Sequence, residues 1–332
     1  MSKARILLLF SGGLDSLLAA KALLEAGAEL SALHFVTPFT GSLDYLQGEV
    51  YLQEWGVEIR RVAINVEAFR HLLLNPPHGF GKAMNPCIDC KILFMRKAKQ
   101  IMETEAFDAI ASGEVLGERP MSQNKLSLDI IERDGELAGK LLRPLSAKLL
   151  PETEVEKQGL IDRNKLYAIE GRGRKPQIEL ARIWGIEEYA TPAGGCLLTE
   201  PAYCAKLKDL MDRNEDSDET VKLLKTGRHF RYTDGSRLIV GRNEKENLAL
   251  LEHAAPNRTF FDVKNTGSPI GLLFAAPNSP ELIKWSAAVV ARYCDNRLIS
   301  ELNVTYWVKG AEESVVNVRP LNAEEVELWR IQ

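Results

Sequence analysis

Residues 5–10 (Arg-Ile-Leu-Leu-Leu-Phe) form a short, continuously apolar run that ends in Ser11-Gly12-Gly13-Leu14-Asp15-Ser16. After the glycines, Leu14, Leu17, Leu18, Ala20, Leu23 and Leu24 recur at helical spacing, and Gly27 closes that pattern. An apolar run without polar alternation predicts a strand buried on both faces. The pattern then repeats: Leu30 to Val36 predicts a second strand, residues 43–55 a helix, and Val57 to Ile64 a third strand. Alternating strands and helices predict an α/β fold, a parallel sheet with helices on both faces. Ligands of such sheets sit at the carboxyl ends of the strands, where residues 11–16 fall.

Residues 76–86 are rich in Pro, Gly and Asn and predict a loop. A helix is expected from Ile88 to Met102, then a short strand from Asp108 to Ser112 leading into Gly113-Glu114. Residues 152–160 and 175–184 read as helices, and Thr191-Pro192-Ala193-Gly194-Gly195 as a second glycine-rich loop. From about residue 202 the texture changes. Strands are expected at Phe230–Tyr232, Leu238–Val240, Thr259–Val263 and Ile270–Phe274, with helices at 243–253 and 279–293. Val304–Val308 and Ser314–Val318 are expected to pair. The domains are therefore read as 1–200, a parallel-sheet domain, and 201–332, a smaller α+β domain, with the polar run Asp212 to Glu219 as a linker.

The chain has 332 residues and a net charge of −4, so no global positive field marks it as a nucleic-acid binder. No apolar run is long enough to span a bilayer, and the first residues lack a secretory pattern, so a cytoplasmic location without membrane contact is expected. The five cysteines, Cys87, Cys90, Cys196, Cys204 and Cys294, make an odd set that argues against a disulfide framework in that compartment.

The segment 11–16 suits an anion. Gly12 and Gly13 let the backbone approach closely, successive amides and the helix start attract phosphate, and Ser11 and Ser16 add hydroxyls. Asp15 is placed either to hold Mg²⁺ on the phosphates or to stabilise the helix start. The lysine of a Walker A loop is absent, so γ-phosphate transfer is not indicated. The hexapeptide resembles the PP-loop of the ATP pyrophosphatase (adenine nucleotide alpha-hydrolase-like) family. That resemblance implies cleavage of ATP between its α- and β-phosphates and adenylation of an acceptor.

Cys87-Ile88-Asp89-Cys90 lies at a loop-to-helix junction, a setting that favours thiolates. Cys196 follows the second glycine loop. Three chemistries stay open for Cys87, Cys90 and Cys196: three ligands of a [4Fe–4S] cluster with one open iron, a persulfide with a resolving thiol, or zinc. Cys204 reads as helix-buried and Cys294 as structural. Asn85-Pro86-Cys87-Ile88-Asp89-Cys90 resembles the NPCxxC element of PP-loop tRNA thiolases. Gly113-Glu114-Val115-Leu116-Gly117-Glu118, with Ser122-Gln123, is similar to the GExxGQ…SQ segment of ThiI-type 4-thiouridine synthases, as is Leu142-Arg143-Pro144-Leu145 to a later element. Glu118 stands where that pattern has Gln, and neither a THUMP region nor a rhodanese-like domain is evident.

The resemblance implies an ATP-dependent tRNA sulfurtransferase that adenylates a uridine carbonyl oxygen, releases pyrophosphate and inserts sulfur. It implies catalytic roles for Asp15, Cys87 and Cys196. ATP would be held by Ser11, Gly12, Gly13, Asp15, Ser16, Gly113 and Glu114, and Cys87, Cys90 and Cys196 would be metal ligands. Implied partners are tRNA and a sulfur donor, either a cysteine desulfurase or sulfide. The alternatives are a PP-loop ligase of the amidotransferase kind acting on another acceptor, and a non-catalytic RNA- or nucleotide-binding protein.

In the C-terminal part, Lys222, Lys225, Arg228, His229, Arg231, Arg237 and Arg242 interleave with Phe230 and Tyr232. The cluster reads either as a phosphate grip with a stacking aromatic or as a solvated mixed-charge surface. Gly227–Phe230 and Val240–Asn243 resemble the RNA-binding module of NFACT proteins. Arg172 and Arg174 fall in a basic loop that reads either as a phosphate holder or as plain surface. His34 reads as a core or capping residue, and His78 has no partner identifiable from sequence.

Overall fold

The apolar run before the glycine loop becomes β1 (Arg5–Leu9), the middle strand of a five-stranded sheet, in a computed structural model that describes residues 3–40, 46–189 and 196–332. The other strands are β2 (Glu29–Val36), β3 (Glu58–Ala63), β4 (Ala109–Ser112) and β5 (Leu141–Leu142). They are ordered β3-β2-β1-β4-β5, and every pairing is parallel. The helices of this unit, Met1–Pro201, are α1 (Leu14–Glu25), α2 (Glu49–Glu54), α3 (Val66–Leu74), α4 (Cys87–Thr104), α5 (Lys125–Asp134), α6 (Glu154–Lys157) and α7 (Lys175–Ile183). The expected α/β class holds.

Ile6 and Leu8 of β1 pack in one core with Leu14, Leu17 and Leu18 of α1. Alternation along β2 puts Leu30 and Ala32 in that same core and turns Phe35 to the other face. There Phe35 stacks on Phe94 of α4, with ring centroids 4.9 Å apart. Both faces of the sheet are thus covered, which is why β1 carries no polar residue between Arg5 and Phe10.

The strand order places the site. From β1 the chain steps outward to β2 and β3, then returns to lay β4 on the other side of β1. The carboxyl ends of β1 and β4 are neighbours, and a doubly wound sheet takes its ligand in the crevice at such a reversal. Residues 11–16 leave β1 there, and residues 113–118 leave β4 there. A Cβ added to Gly113 would lie 2.6 Å from the backbone of Asp15, so only glycine lets the two loops touch.

Some elements differ from expectation. The helix expected over 43–55 is α2 alone; Gly48 precedes it with φ +79° and abuts Leu17, and residues 43–45 lie outside the described residues. The helix expected over 152–160 is the single turn α6, capped by Thr153 and Glu156 and followed by Gly159 at φ +68°. Helices α3 and α5 were not expected. Both start on an asparagine cap, Asn65 accepting from Ala68 N and Asn124 from Ser127 N. The glycine loop at 191–195 lies outside the described residues.

The second unit, Ala202–Gln332, carries a six-stranded sheet of β6 (Arg228–Arg231), β7 (Arg237–Val240), β8 (Thr259–Asp262), β9 (Gly271–Leu273), β10 (Leu302–Trp307) and β11 (Ser314–Val318). The order is β11-β10-β8-β9-β7-β6, antiparallel throughout. Its helices are α8 (Pro201–Asp212), α9 (Asp218–Lys222), α10 (Glu244–Leu251), α11 (Pro280–Arg292) and α12 (Ala323–Glu327). Leu238 and Val240 pack with Leu282 and Val290 of α11, whereas Ile239 between them packs with Leu250 of α10.

The run Asp212–Glu219 is not a linker. It lies inside this unit, where Asp216 is buried, Glu215 pairs with Arg231 and Glu219 pairs with Arg258. Cys204 is buried in α8, as read from sequence. Cys294 is buried just past the end of α11 rather than within it, and its thiol donates to Ala291 O at 3.1 Å.

Gly113→Ala is expected to cost about 1–3 kcal/mol by forcing the β1 and β4 loops apart. A urea titration should show a lowered midpoint with an unchanged slope.

Candidate active site

The hexapeptide loop is held by its own hydroxyls. Gly12 sits at φ +79°, where a Cβ would meet Gln47 O and Leu46 Cδ1, each at 2.8 Å. Gly13 is the extended N-cap of α1. Ser16 Oγ donates to Gly13 O at 2.7 Å, and Ser11 Oγ donates to Ser16 Oγ at 3.3 Å while accepting from Gly13 N at 3.4 Å. The loop is therefore formed without a ligand side chain to brace it, and Ser11 stays exposed at its mouth.

Asp15, in the first turn of α1, faces Arg174, which caps α7: Arg174 Nη2 is 3.6 Å from Asp15 Oδ2. Arg174 Nε is 3.5 Å from Glu118 Oε1. Asp15 Oδ1, Glu118 Oε2 and Arg174 Nε are all buried without a hydrogen-bond partner. Burial pushes the Asp15 carboxyl above its ordinary range, against the pull of Arg174 and Arg119. Burial also raises Glu118, and the nearby charge of Asp15 adds to the rise. Orphaned buried oxygens beside a phosphate-type loop fit a nucleotide with a divalent cation. Asp15, Ser11, Ser16 and the amides around Gly12 and Gly13 are the groups that would hold it.

Glu114 is not open to a ligand in the same way. Its Oε1 accepts from Lys91 Nζ, and its Oε2 accepts from Arg143 Nε at 3.0 Å and Ser112 Oγ at 3.1 Å. Arg143 continues to Glu132 Oε2 at 3.0 Å and Leu128 O at 3.2 Å. Burial acts upward on Glu114, but Lys91 and Arg143 outweigh it and hold the carboxyl down at about 2. Lys91 directly follows Cys90, so this buried carboxylate joins the cysteine helix to the end of β4.

Cys87 opens α4, and Cys90 N donates to Pro86 O at 2.8 Å. Asp89 between them is buried and grips His78 twice: Asp89 Oδ2 accepts from His78 N at 3.1 Å, and Oδ1 lies 2.7 Å from His78 Nδ1. His78 Nε2 lies 3.2 Å from Asp134 Oδ2. The histidine without a partner in the sequence is thus the clasp that folds loop 76–86 against α4 and α5. Met84 N donates to Leu198 O at 3.1 Å, which brings the Cys196 segment beside that loop. Burial pushes the Cys90 thiol well up, and the neighbouring Cys87 and Cys196 push it further, opposed by Lys91. The three predicted thiols are therefore electrostatic neighbours. Among the described residues they do not close into a metal-ligand set of three or more, and Gly194 and Gly195 lie outside those residues. The donor chemistry suits soft metal or sulfur, but the geometry alone does not select a cluster.

His34 Nδ1 lies 2.8 Å from Phe10 O at the end of β1, and burial lowers its pKa. In the second unit the basic cluster is largely consumed by the fold. His229, Phe230 and Arg237 are buried, Arg231 pairs with Asp209 and Glu215, and Arg242 pairs with Glu246. Phe230 is therefore not available to stack on a base. Sequence reasoning passed over Lys91 and the pairing of Arg143. A lone arginine in the apolar run Leu141-Leu142-Arg143-Pro144-Leu145 was the available signal, because a buried arginine demands partners.

Glu114→Gln is expected to cost about 3 kcal/mol at neutral pH, because it takes the anion from half-buried Lys91 and leaves buried Arg143 with Glu132 alone. The Glu114 contribution is fully present above the ordinary value of 4.5 and is lost as pH falls towards 2. Urea unfolding at pH 7 and pH 3 should therefore show a smaller deficit for the variant at the lower pH.

A family model described as thiamine biosynthesis protein (ThiI) matches residues 1–148. A second, described as NFACT protein RNA binding domain, matches residues 227–330. No curated protein matches the chain. Among solved structures, the U34-tRNA thiolase NcsA from Methanococcus maripaludis with its [4Fe-4S] cluster is 17% identical, covers 68% of this chain and 72% of its own, and gives a TM-score of 0.35. The C-terminal part of the fibronectin/fibrinogen-binding protein from Streptococcus suis is 13% identical over 74% of this chain and 95% of its own, with a TM-score of 0.29. A predicted subunit of tRNA methyltransferase from Methanocaldococcus jannaschii is 16% identical over 65% of this chain and 91% of its own, with a TM-score of 0.36. The resemblances carried by the glycine loop, the cysteine element and the C-terminal strands therefore stand: a segment similar to the ThiI family is followed by one similar to the NFACT RNA-binding domain.

Proposed function

We propose that this protein is an ATP-dependent tRNA sulfurtransferase that makes a thiouridine. The observation that carries the reading is a shared anion: Lys91 of α4, next to Cys90, and Ser112, at the end of β4, both donate to the carboxylate of Glu114. This link between α4 and the end of β4 supports a reading in which the thiols and the phosphate-type loop serve one reaction. The match of residues 1–148 to the ThiI family supports the same reaction class.

In this reading Ser11, Gly12, Gly13 and Ser16 hold the phosphates, and Asp15 orients the leaving pyrophosphate through a Mg²⁺ ion. The uridine carbonyl oxygen attacks the α-phosphorus of ATP and pyrophosphate departs. Sulfur then replaces that oxygen, which leaves in AMP. Cys87, Cys90 and Cys196 present the sulfur, either as a persulfide or through a [4Fe–4S] cluster, whose open iron would bind sulfide when present. On the persulfide route the donor is a cysteine desulfurase, and a second cysteine breaks the S–S bond, leaving a disulfide that an external thiol reductant reopens; on the cluster route the donor is sulfide. The NFACT-type segment, residues 227–330, supplies tRNA contact. Among the described residues no helix is long and apolar enough to cross a membrane.

Two variants separate the steps. Asp15→Asn is expected to lower ATP–pyrophosphate exchange by about 100-fold or more, the scale of losing one key electrostatic group at a transition state. Cys196→Ser should keep exchange and lose thionucleoside formation, read by mass spectrometry of digested tRNA. Wild-type protein that binds ATP but never exchanges pyrophosphate would rule out adenylation. Unchanged thionucleosides in tRNA from a deletion strain would rule out the substrate.

A further inference from the structure

The half-buried carboxylates of Asp15 and Glu118 face one arginine, at distances longer than those of a closed ion pair. Arg174 approaches them at 3.6 and 3.5 Å, whereas an arginine–carboxylate pair that satisfies itself closes to about 2.7–2.9 Å. Each carboxylate keeps a buried oxygen with no partner, and so does the arginine Nε. Native folds rarely leave such atoms unpaired, least of all three in one place.

The surrounding backbone keeps them there. Gly117 N donates to Gln123 O at 2.7 Å, Arg119 N donates to Gln123 Oε1 at 3.0 Å, and Leu116 N donates to Ser146 Oγ at 2.9 Å. Gly171 N donates to Leu116 O at 2.7 Å, which ties the segment leading to Arg174 onto the segment leading to Glu118. Glu118 and Arg174 are thus placed by one short bridge, and Asp15 is pressed against Gly113 at the start of the same loop. Glu118 also departs from the ThiI-type pattern, which has Gln at this place.

We infer that Glu118 and Asp15 together form a two-carboxylate site for a divalent cation, and that Arg174 competes with that cation for the same oxygens. A hard divalent ion takes oxygen ligands, and its affinity follows their number and charge. When the ion binds, Arg174 is released from the carboxylates and, with Arg119, faces the phosphates. This extends the adenylation reading, on which it rests, from one acidic residue to two and makes cation entry and phosphate capture a single exchange.

Mn²⁺ binding to the full chain, followed by electron paramagnetic resonance with and without ATP, tests this. Glu118→Gln should weaken Mn²⁺ by about tenfold, since one anionic ligand is lost, and Glu118→Asp should recover most of it. Arg174→Gln should tighten Mn²⁺ by about threefold or more without ATP, because the competing cation is gone, while weakening ATP. Wild-type Mn²⁺ affinity in Glu118→Gln, or weaker Mn²⁺ binding without ATP in Arg174→Gln, overturns the inference. If Asp15→Asn weakens Mn²⁺ and Glu118→Gln does not, the two-carboxylate site falls and the adenylation reading stands. If neither variant changes Mn²⁺ and the wild type exchanges no pyrophosphate, both fall.

Discussion

The arrangement of the first unit depends on one buried anion. Glu114 sits at the reversal point of the sheet and accepts from a lysine on α4, an arginine just after β5 and a serine at the end of β4. An isolated carboxylate at that depth would be too costly to ionise; two cations and a hydroxyl make it the more stable form. Its three partners come from separate elements, so satisfying it fixes the start of α4 relative to β4. The cysteine loop and the phosphate-type loop inherit their registry from that constraint rather than from contact with each other.

The electrostatics of the thiols follow from the same group. Burial and two neighbouring sulfurs disfavour the thiolate of Cys90, and Lys91 is the group acting the other way. Lys91 is also held by Glu114, so its charge is partly spent before it reaches the sulfur. Cys90 is thus kept protonated more firmly than a C-x-x-C at a helix start would suggest. A bound soft metal cation favours the thiolate of such a residue, whereas attack on a sulfur donor needs that thiolate already formed.

Most of the sheet of the first unit is legible because β1 is an apolar run and glycines mark the turns, whereas β5 is only two residues long and leaves no such signal. β1, β2 and α1 follow directly from residues 5–36, and Asp108–Ser112 reads as β4 within one residue. α3 and α5 were less legible because their signals are short and their exposed faces are charged; only the caps Asn65 and Asn124 announce them. In the site, the loop 11–16 and the C-x-x-C were visible as local patterns. The clasp of His78 on Asp89 and Asp134, and the facing of Glu118 and Arg174, join residues 11 to 56 positions apart and leave no local trace. Topology alone brings them together.

The second unit shows the converse error, in which local pattern says too much. Seven basic residues between 222 and 242 look like a phosphate grip, yet a cation in the sequence is not a cation at the surface. Arg237 is buried with its guanidinium 4.0 Å from the ring centre of Phe274, and Arg258 lies 4.7 Å from the same ring. Arg231 is tied to Asp209 of α8 and to Glu215 on the segment that looked like a linker. These arginines serve the packing of the antiparallel sheet, as planar guanidinium groups do when they stack and bridge. Of the original cluster, Lys222, Lys225 and Arg242 remain exposed, and Arg242 is bound to Glu246. A count of basic residues in this stretch therefore overstates the positive charge that the folded unit presents at its surface.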